Sequence, residues 1–180
     1  METFSDLRVF IVDDNEVTRA VLRMILKDRG FQVIGEAADA RAALERLAPV
    51  RADMVCLDVV MPGCDGLDLL QQIKQRAPRT EILMVTASKD AATIETALAR
   101  GAAGFIFKPF NSGAVCDAME KVARRMRTRH TAAQVAQTEV AASRQEEIES
   151  QQVISTPAIA PDDKFLHLAS KLPNLPDNGP

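Results

Sequence analysis

Leu7–Asp14 reads LRVFIVDD, a short and mostly apolar run that stops on two adjacent carboxylates. Three later stretches repeat the pattern. DMVCLD (53–58) stops on Asp58, EILMVT (81–86) on Thr86, and GFIFKP (104–109) on Lys108 followed by Pro109. Continuous apolar runs of this length suit strands covered by helices on both faces, because a strand with one wet face alternates apolar and polar residues instead.

Helical patterns fill the gaps. The spacing predicts strands at Leu7–Val12, Phe31–Gly35, Met54–Leu57, Ile82–Val85 and Gly104–Phe107. Helices are predicted over about 15–29, 40–47, 67–76, 90–100 and 113–127. Gly30, Pro49, Pro78 and Gly101 stand where the first four helices should stop, and Asp39 and Ser112 can cap two helix starts. VVMPGCDG (59–66) reads as a loop. Five alternations with right-handed crossovers give an α/β domain, a doubly wound five-stranded parallel sheet.

In such sheets the ligand crevice lies beyond the carboxyl ends of the strands, where the strand order reverses. That rule gathers Asp13, Asp14, Asp58, Thr86 and Lys108 around one hollow. A dinucleotide-binding reading is weaker, because DDNEVTR follows the first strand where a glycine-rich turn would be needed. Three carboxylates held close together resist full ionisation unless a cation sits among them. Mg2+ suits an all-oxygen ligand set, and Mn2+ can take its place. Such an ion leaves one carboxylate able to attack phosphorus and neutralises charge on the phosphoryl oxygens. Asp58, ending the central strand, is the expected nucleophile. Asp14 is expected to bind the metal directly, and Asp13 directly or through water. Lys108 can pair with Asp58 and then with a phosphoryl oxygen, and Thr86 offers a hydroxyl to the same group. Singly, these residues have plain explanations: a helix cap, a strand end, a solvated lysine. Their arrival together at matching strand ends is the signal. An X-Pro bond can also be cis at little cost, which would turn Lys108 into the crevice, although a proline opening the next helix reads equally well.

These stretches resemble the receiver domain of two-component response regulators. VFIVDDNEVTRAVL, EAADARAALE, MVCLDVVMPGCDGLDLL, ILMVTA and GAAGFIFKPF occur in that family's order and at its spacings, over roughly residues 6–128. The resemblance implies a flavodoxin-like strand order 2-1-3-4-5. It implies Asp58 as phosphoacceptor, Asp13 and Asp14 as the acidic pair, and a backbone carbonyl of Val60 on Mg2+. Thr86 and Phe105 would be the switch pair, and Lys108 the family's lysine, followed by cis Pro109. Ala87 matches the small residue beside the site. The phosphoryl donor would be a phosphohistidine on a sensor histidine kinase or a histidine phosphotransfer protein. The output face would run over the fourth helix, fifth strand and fifth helix. Phe105 stands in place of the frequent Tyr, and Ala40 in place of a frequent Gly. Val60 and Ser88 occupy the two positions that modulate hydrolysis. An apolar Val60 cannot orient attacking water, so a moderately long-lived phosphoaspartate is expected.

The chain has 180 residues, 47% of them apolar, with seven Phe and neither Trp nor Tyr, so the core is aliphatic. Residues 1–129 carry 19 Lys/Arg against 18 Asp/Glu, whereas residues 130–180 carry 3 against 7. This balance makes nucleic acid an improbable partner. Lys121, Arg124, Arg125, Arg127 and Arg129 cluster at the end of the last predicted helix; a solvated helix end explains them better than a docking patch. Three cysteines without metal-type spacing indicate neither zinc nor a disulfide framework, and Cys56 should be buried in its strand. The start of the chain shows no signal-peptide pattern, and no apolar run approaches the roughly 18 residues of a membrane span, so a cytoplasmic protein with no membrane partner is expected.

The expected organisation is a receiver over 1–129, a helical extension over 130–154 and a Pro-rich tail over 155–180, in which 164–172 (KFLHLASKL) is a candidate docking segment. Val115, Met119, Val122, Met126, Ala133, Ala136 and Val140 fall near heptad spacing. The Ala positions make a weak seam, so a single helix is preferred over a coiled-coil homodimer. His130 and His167 read as solvated or partner-facing. The favoured function is a phosphorelay response regulator, of chemotaxis or shuttle type, that signals by protein contact at the output face or through the tail. It is not an enzyme beyond its own phosphorylation and dephosphorylation. The alternatives are the receiver part of a DNA-binding regulator and an inactive adaptor. A magnesium phosphohydrolase is disfavoured because Asn15 occupies the place of its second Asp.

Overall fold

The computed structural model describes residues 3–153, with side chains for 3–138 and 144. The tail 155–180 and the candidate segment 164–172 lie outside the described residues. The chain divides into two compact units, one ending at Ala132 and the other beginning at Ala133.

In chain order the elements are β1 (Arg8–Val12), α1 (Glu16–Asp28), β2 (Gln32–Ala37), α2 (Ala40–Leu47), β3 (Met54–Asp58), β4 (Val60–Met61), β5 (Cys64–Asp65), α3 (Gly66–Arg76), β6 (Glu81–Thr86), α4 (Ala91–Ala99), β7 (Gly104–Phe107) and α5 (Ser112–Val153). Five strands form a parallel sheet in the order β2-β1-β3-β6-β7. Counted among themselves these strands run 2-1-3-4-5, as expected. Among the described residues no helix is long and apolar enough to cross a membrane.

The apolar runs are explained by two cores. Side chains alternate across a strand, so each central strand feeds both. Val9, Ile11, Met54, Cys56, Leu83, Val85 and Ile106 face one core, closed by Leu22, Ile25 and Leu26 of α1 and by Val115, Met119 and Val122 of α5. Phe10, Val12, Val55, Leu57, Ile82 and Met84 face the other, closed by Ala43 of α2, Leu69, Leu70 and Ile73 of α3, and Ala97 of α4. Every residue of β3 is buried. Gly30 and Gly101 follow α1 and α4 at φ of 93° and 94°, a left-handed conformation that terminates a helix.

Three expectations change. The 59–66 loop contains a small antiparallel ribbon, β4 on β5, because buried Met61 pairs with Cys64 and seals the second core. Asn111, not Ser112, caps α5, its side chain accepting from the Ala114 amide at 2.8 Å, a contact worth about 1 kcal/mol. The helix then runs to Val153 instead of stopping near 127. Its apolar positions are consumed by the domain up to Met126, while Ala133 and Ala136 are exposed.

The basic cluster is largely spoken for. Arg124 pairs with Glu120, Arg127 with Asp6, and Arg129 with Glu81, while Arg125 donates to the carbonyl of Ala103. These contacts tie α5 to β6, β7 and the segment before β1. His130 is exposed, as expected.

Candidate phosphorylation site

The turn after β1 supplies the acidic pair. Asn15 caps α1 through the Thr18 amide at 3.0 Å, which leaves Asp13 and Asp14 free of that task. Asp13 is fully buried; its Oδ1 accepts from the Asn15 amide at 2.9 Å and its Oδ2 from Lys108 Nζ at 2.8 Å. Asp14 is exposed at the mouth. Asp58 ends β3, the strand next to β1, and is only 4% exposed. One carboxylate oxygen from each of Asp13, Asp14 and Asp58 lies within 4.8 Å of the others. The strand order reverses between β1 and β3, so these residues meet at the switch point of the sheet.

Lys108 lies just beyond β7, and its amide donates to the Thr86 carbonyl at 2.7 Å. The Lys108–Pro109 bond is cis. The ammonium reaches across to Asp58 Oδ2 at 2.9 Å as well as to Asp13. Burial pushes the Asp58 carboxyl up and the nearby Asp13 charge adds to this; the bond from Lys108 opposes them without reversing the direction. Burial alone would lower the Lys108 ammonium, but the bonds it donates to Asp13 and Asp58 hold it above the ordinary lysine value. Three carboxylates against one ammonium leave two negative charges uncompensated in a partly desolvated hollow. One divalent cation balances them, and the all-oxygen donor set is the kind Mg2+ takes.

The response regulator receiver domain family matches residues 9–120. The chain belongs to that family. Among curated relatives, the receiver domain is 36% identical over 118 residues to chemotaxis protein CheY of Listeria monocytogenes, covering 66% of this chain and 99% of that one. CheY of Thermotoga maritima is 35% identical over 117 residues, covering 65% and 98%. Among solved structures, chemotaxis protein CheY4 of Vibrio cholerae superposes with a TM-score of 0.62 at 30% identity, covering 64% of this chain and 98% of that one. NtrX of Brucella abortus gives 0.67 at 28% identity, and there the shared part covers 71% of this chain but 29% of that one.

The remaining residues expected at the receiver's site fall as follows. Thr86 closes β6 one residue beyond Val85, the register partner of Asp58; it is buried, and its hydroxyl accepts from the Ser88 amide at 3.1 Å. Val60 is 73% exposed, and its amide makes a long contact of 3.4 Å to Asp58 Oδ1. Ala87 is exposed beside the hollow. Phe105 is half-buried on β7 against the second core, stacked on Phe107 with ring centroids 5.9 Å apart.

Two contributors escaped the sequence reading. Gly66 opens α3 directly on the backbone of Asp58: its amide donates to the Val59 carbonyl at 2.9 Å, and a Cβ there would lie 2.1 Å from the Asp58 carbonyl oxygen. The Asp-Gly pair before an apolar run hinted at a tight start, but the backbone it meets is visible only in three dimensions. Arg19 donates to the carbonyls of Asp13 and Asp14 at 2.7 and 3.2 Å. It stands inside the quoted DDNEVTR motif with nothing to mark it.

Proposed function

We propose that the chain accepts a phosphoryl group on Asp58 from a phosphohistidine of a sensor kinase or phosphotransfer protein, and signals through protein contacts. The observation that carries this reading is the convergence of Asp13, Asp14 and Asp58 with Lys108 at the switch point of the sheet. An Asp58 carboxylate oxygen attacks phosphorus, an O–P bond forms, the P–N bond to the imidazole breaks, and the imidazole leaves with its electron pair. A divalent cation held by Asp13, Asp14, Asp58 and the Val60 carbonyl supplies charge neutralisation at the phosphoryl oxygens. Lys108 gives up its bond to Asp58 and turns to a phosphoryl oxygen, while Asp13 keeps it in place. Thr86 and Phe105 act as the switch pair, and Phe105, lacking a hydroxyl, responds by packing alone.

Residues 1–129 form the receiver in this reading and 130–154 its helical extension. The output face is α4, β7 and α5, where Leu98 is an exposed apolar residue. The exposed, apolar Val60 favours a phosphoaspartate of moderate lifetime. The site of action is the cytoplasm. The test is phosphorylation with acetyl phosphate and Mg2+, followed by intact mass. The parent should gain one phosphoryl group and Asp58→Asn none; equal gain by both would reject Asp58 as the acceptor.

A further inference from the structure

We infer that Arg19 is a positioning residue for the acidic pair and sets how tightly the site takes Mg2+. Arg19 lies in the first turn of α1, and its guanidinium bridges the carbonyls of Asp13 and Asp14. Its Nε lies 3.6 Å from Glu36 Oε2 on β2, and the side chain is only 16% exposed. Glu36 is itself held, its carboxylate by Arg23 at 2.5 Å and its carbonyl by Arg46 at 2.8 Å. Arg19 therefore joins three pieces of chain: the turn that carries the ligands, the first turn of α1 and the edge strand.

The two ligands depend on this link unequally. Asp13 is buried and held through its own carboxylate by the Asn15 amide and Lys108. Asp14 is exposed, so burial does not aim its carboxylate. Its direction follows from the backbone of the turn, and both carbonyls of that turn end on Arg19. Outer contacts of this kind tune metal affinity by about 10–100-fold when removed. Both carbonyls meet the same nitrogen, Nη1, while Nε faces Glu36, so one guanidinium holds the turn and the edge strand with different atoms, which an ammonium, a single point, cannot do. The positive charge of Arg19 acts the other way, repelling a cation, but its pairing with Glu36 offsets that charge. Positioning should outweigh repulsion.

The inference rests on the acidic cluster being the Mg2+ site, and the experiment separates the two. Mg2+ alone is titrated into the metal-free full chain by calorimetry, since the absence of Trp and Tyr removes the usual fluorescence readout. Urea unfolding without metal is measured in parallel. Arg19→Gln should weaken Mg2+ binding at least tenfold, with Arg19→Lys in between. Unchanged affinity in a variant whose metal-free stability has fallen would mean a merely structural arginine and overturn the inference. A gain in affinity would overturn it too, because repulsion would then dominate. If Arg19→Gln does not fold, Arg19→Lys decides alone, and parent-like affinity rejects the inference. A parent chain that takes no Mg2+ would overturn the metal reading itself and this one with it.

Discussion

Lys108 Nζ sits 2.8 Å from Asp13, a carboxylate 95 residues earlier in the chain, as well as 2.9 Å from Asp58. The lysine is thus shared between a residue expected to hold metal and the one expected to accept phosphorus. Its second bond means that it need not leave the site when Asp58 is modified.

The charge imbalance around that lysine has a pH signature. The Asp58 carboxyl is raised by burial and by Asp13. A raised acid contributes stability that is complete below its unfolded pKa and lost as pH rises through its folded pKa. In metal-free protein, Asp58→Asn should therefore match the parent in acid, where both side chains are neutral. It should become more stable than the parent as pH approaches neutrality. Urea unfolding across the acidic range checks this; a constant difference at all pH values would contradict it. Lys108, also raised, contributes stability that is present at neutral pH and is lost only as alkali reaches its elevated value.

Metal should act on the same charges. Saturating Mg2+ is expected to raise the thermal midpoint, with a stabilisation of about 2.7 kcal/mol at a hundredfold excess over Kd, and a chelator should reverse it. Asp14→Asn should shift the Mg2+ concentration dependence upward by tenfold or more. It should leave metal-free stability nearly unchanged, because Asp14 is exposed. Circular dichroism melts at a series of Mg2+ concentrations measure both quantities.

Gly66→Ala tests the contact behind Asp58. The added methyl would overlap the Asp58 carbonyl oxygen at 2.1 Å and the Val59 backbone at 2.8 Å, and a backbone atom cannot step aside cheaply. A loss of about 2–3 kcal/mol is expected, together with slower phosphorylation by acetyl phosphate. Parent-like stability would show that α3 can shift without disturbing β3.

The thiols offer a direct check on burial. Cys56 is fully buried, its Sγ donating to Met119 Sδ at 3.6 Å, and desolvation pushes the thiol up to about 12. Cys64 and Cys116 are half-buried. Native protein should react with Ellman's reagent at two thiols and release the third only on unfolding.

The sheet was legible because its strands are continuous apolar runs, each ending sharply on a polar residue. The acidic cluster was legible for the same reason: Asp13, Asp14 and Asp58 are marked by where the apolar runs stop, and the strand-order rule brings those stops together. What could not be read are contacts made by backbone atoms across space. Gly66 on the Asp58 carbonyl and Arg19 on the Asp13 and Asp14 carbonyls leave no pattern in side-chain chemistry. The partners of the α5 arginines were hidden similarly, since Glu81 lies 48 residues from Arg129 and Asp6 lies 121 from Arg127. The near-heptad spacing in α5, too weak a seam for a coiled coil on its Ala positions, has a plain source in the domain core. A helix lying on a sheet and a helix in a two-stranded coil show nearly the same repeat over three turns, and here the domain core takes Val115, Met119 and Val122.

The peptide hydrogen bond from Lys108 to Thr86 makes the tips of two neighbouring strands mechanically one part. A pull on the backbone that closes β6 is thereby felt at the backbone from which the lysine stem extends. News of an occupied pocket can leave by that bond and the β6–β7 ladder behind it, toward Phe105 on the second core.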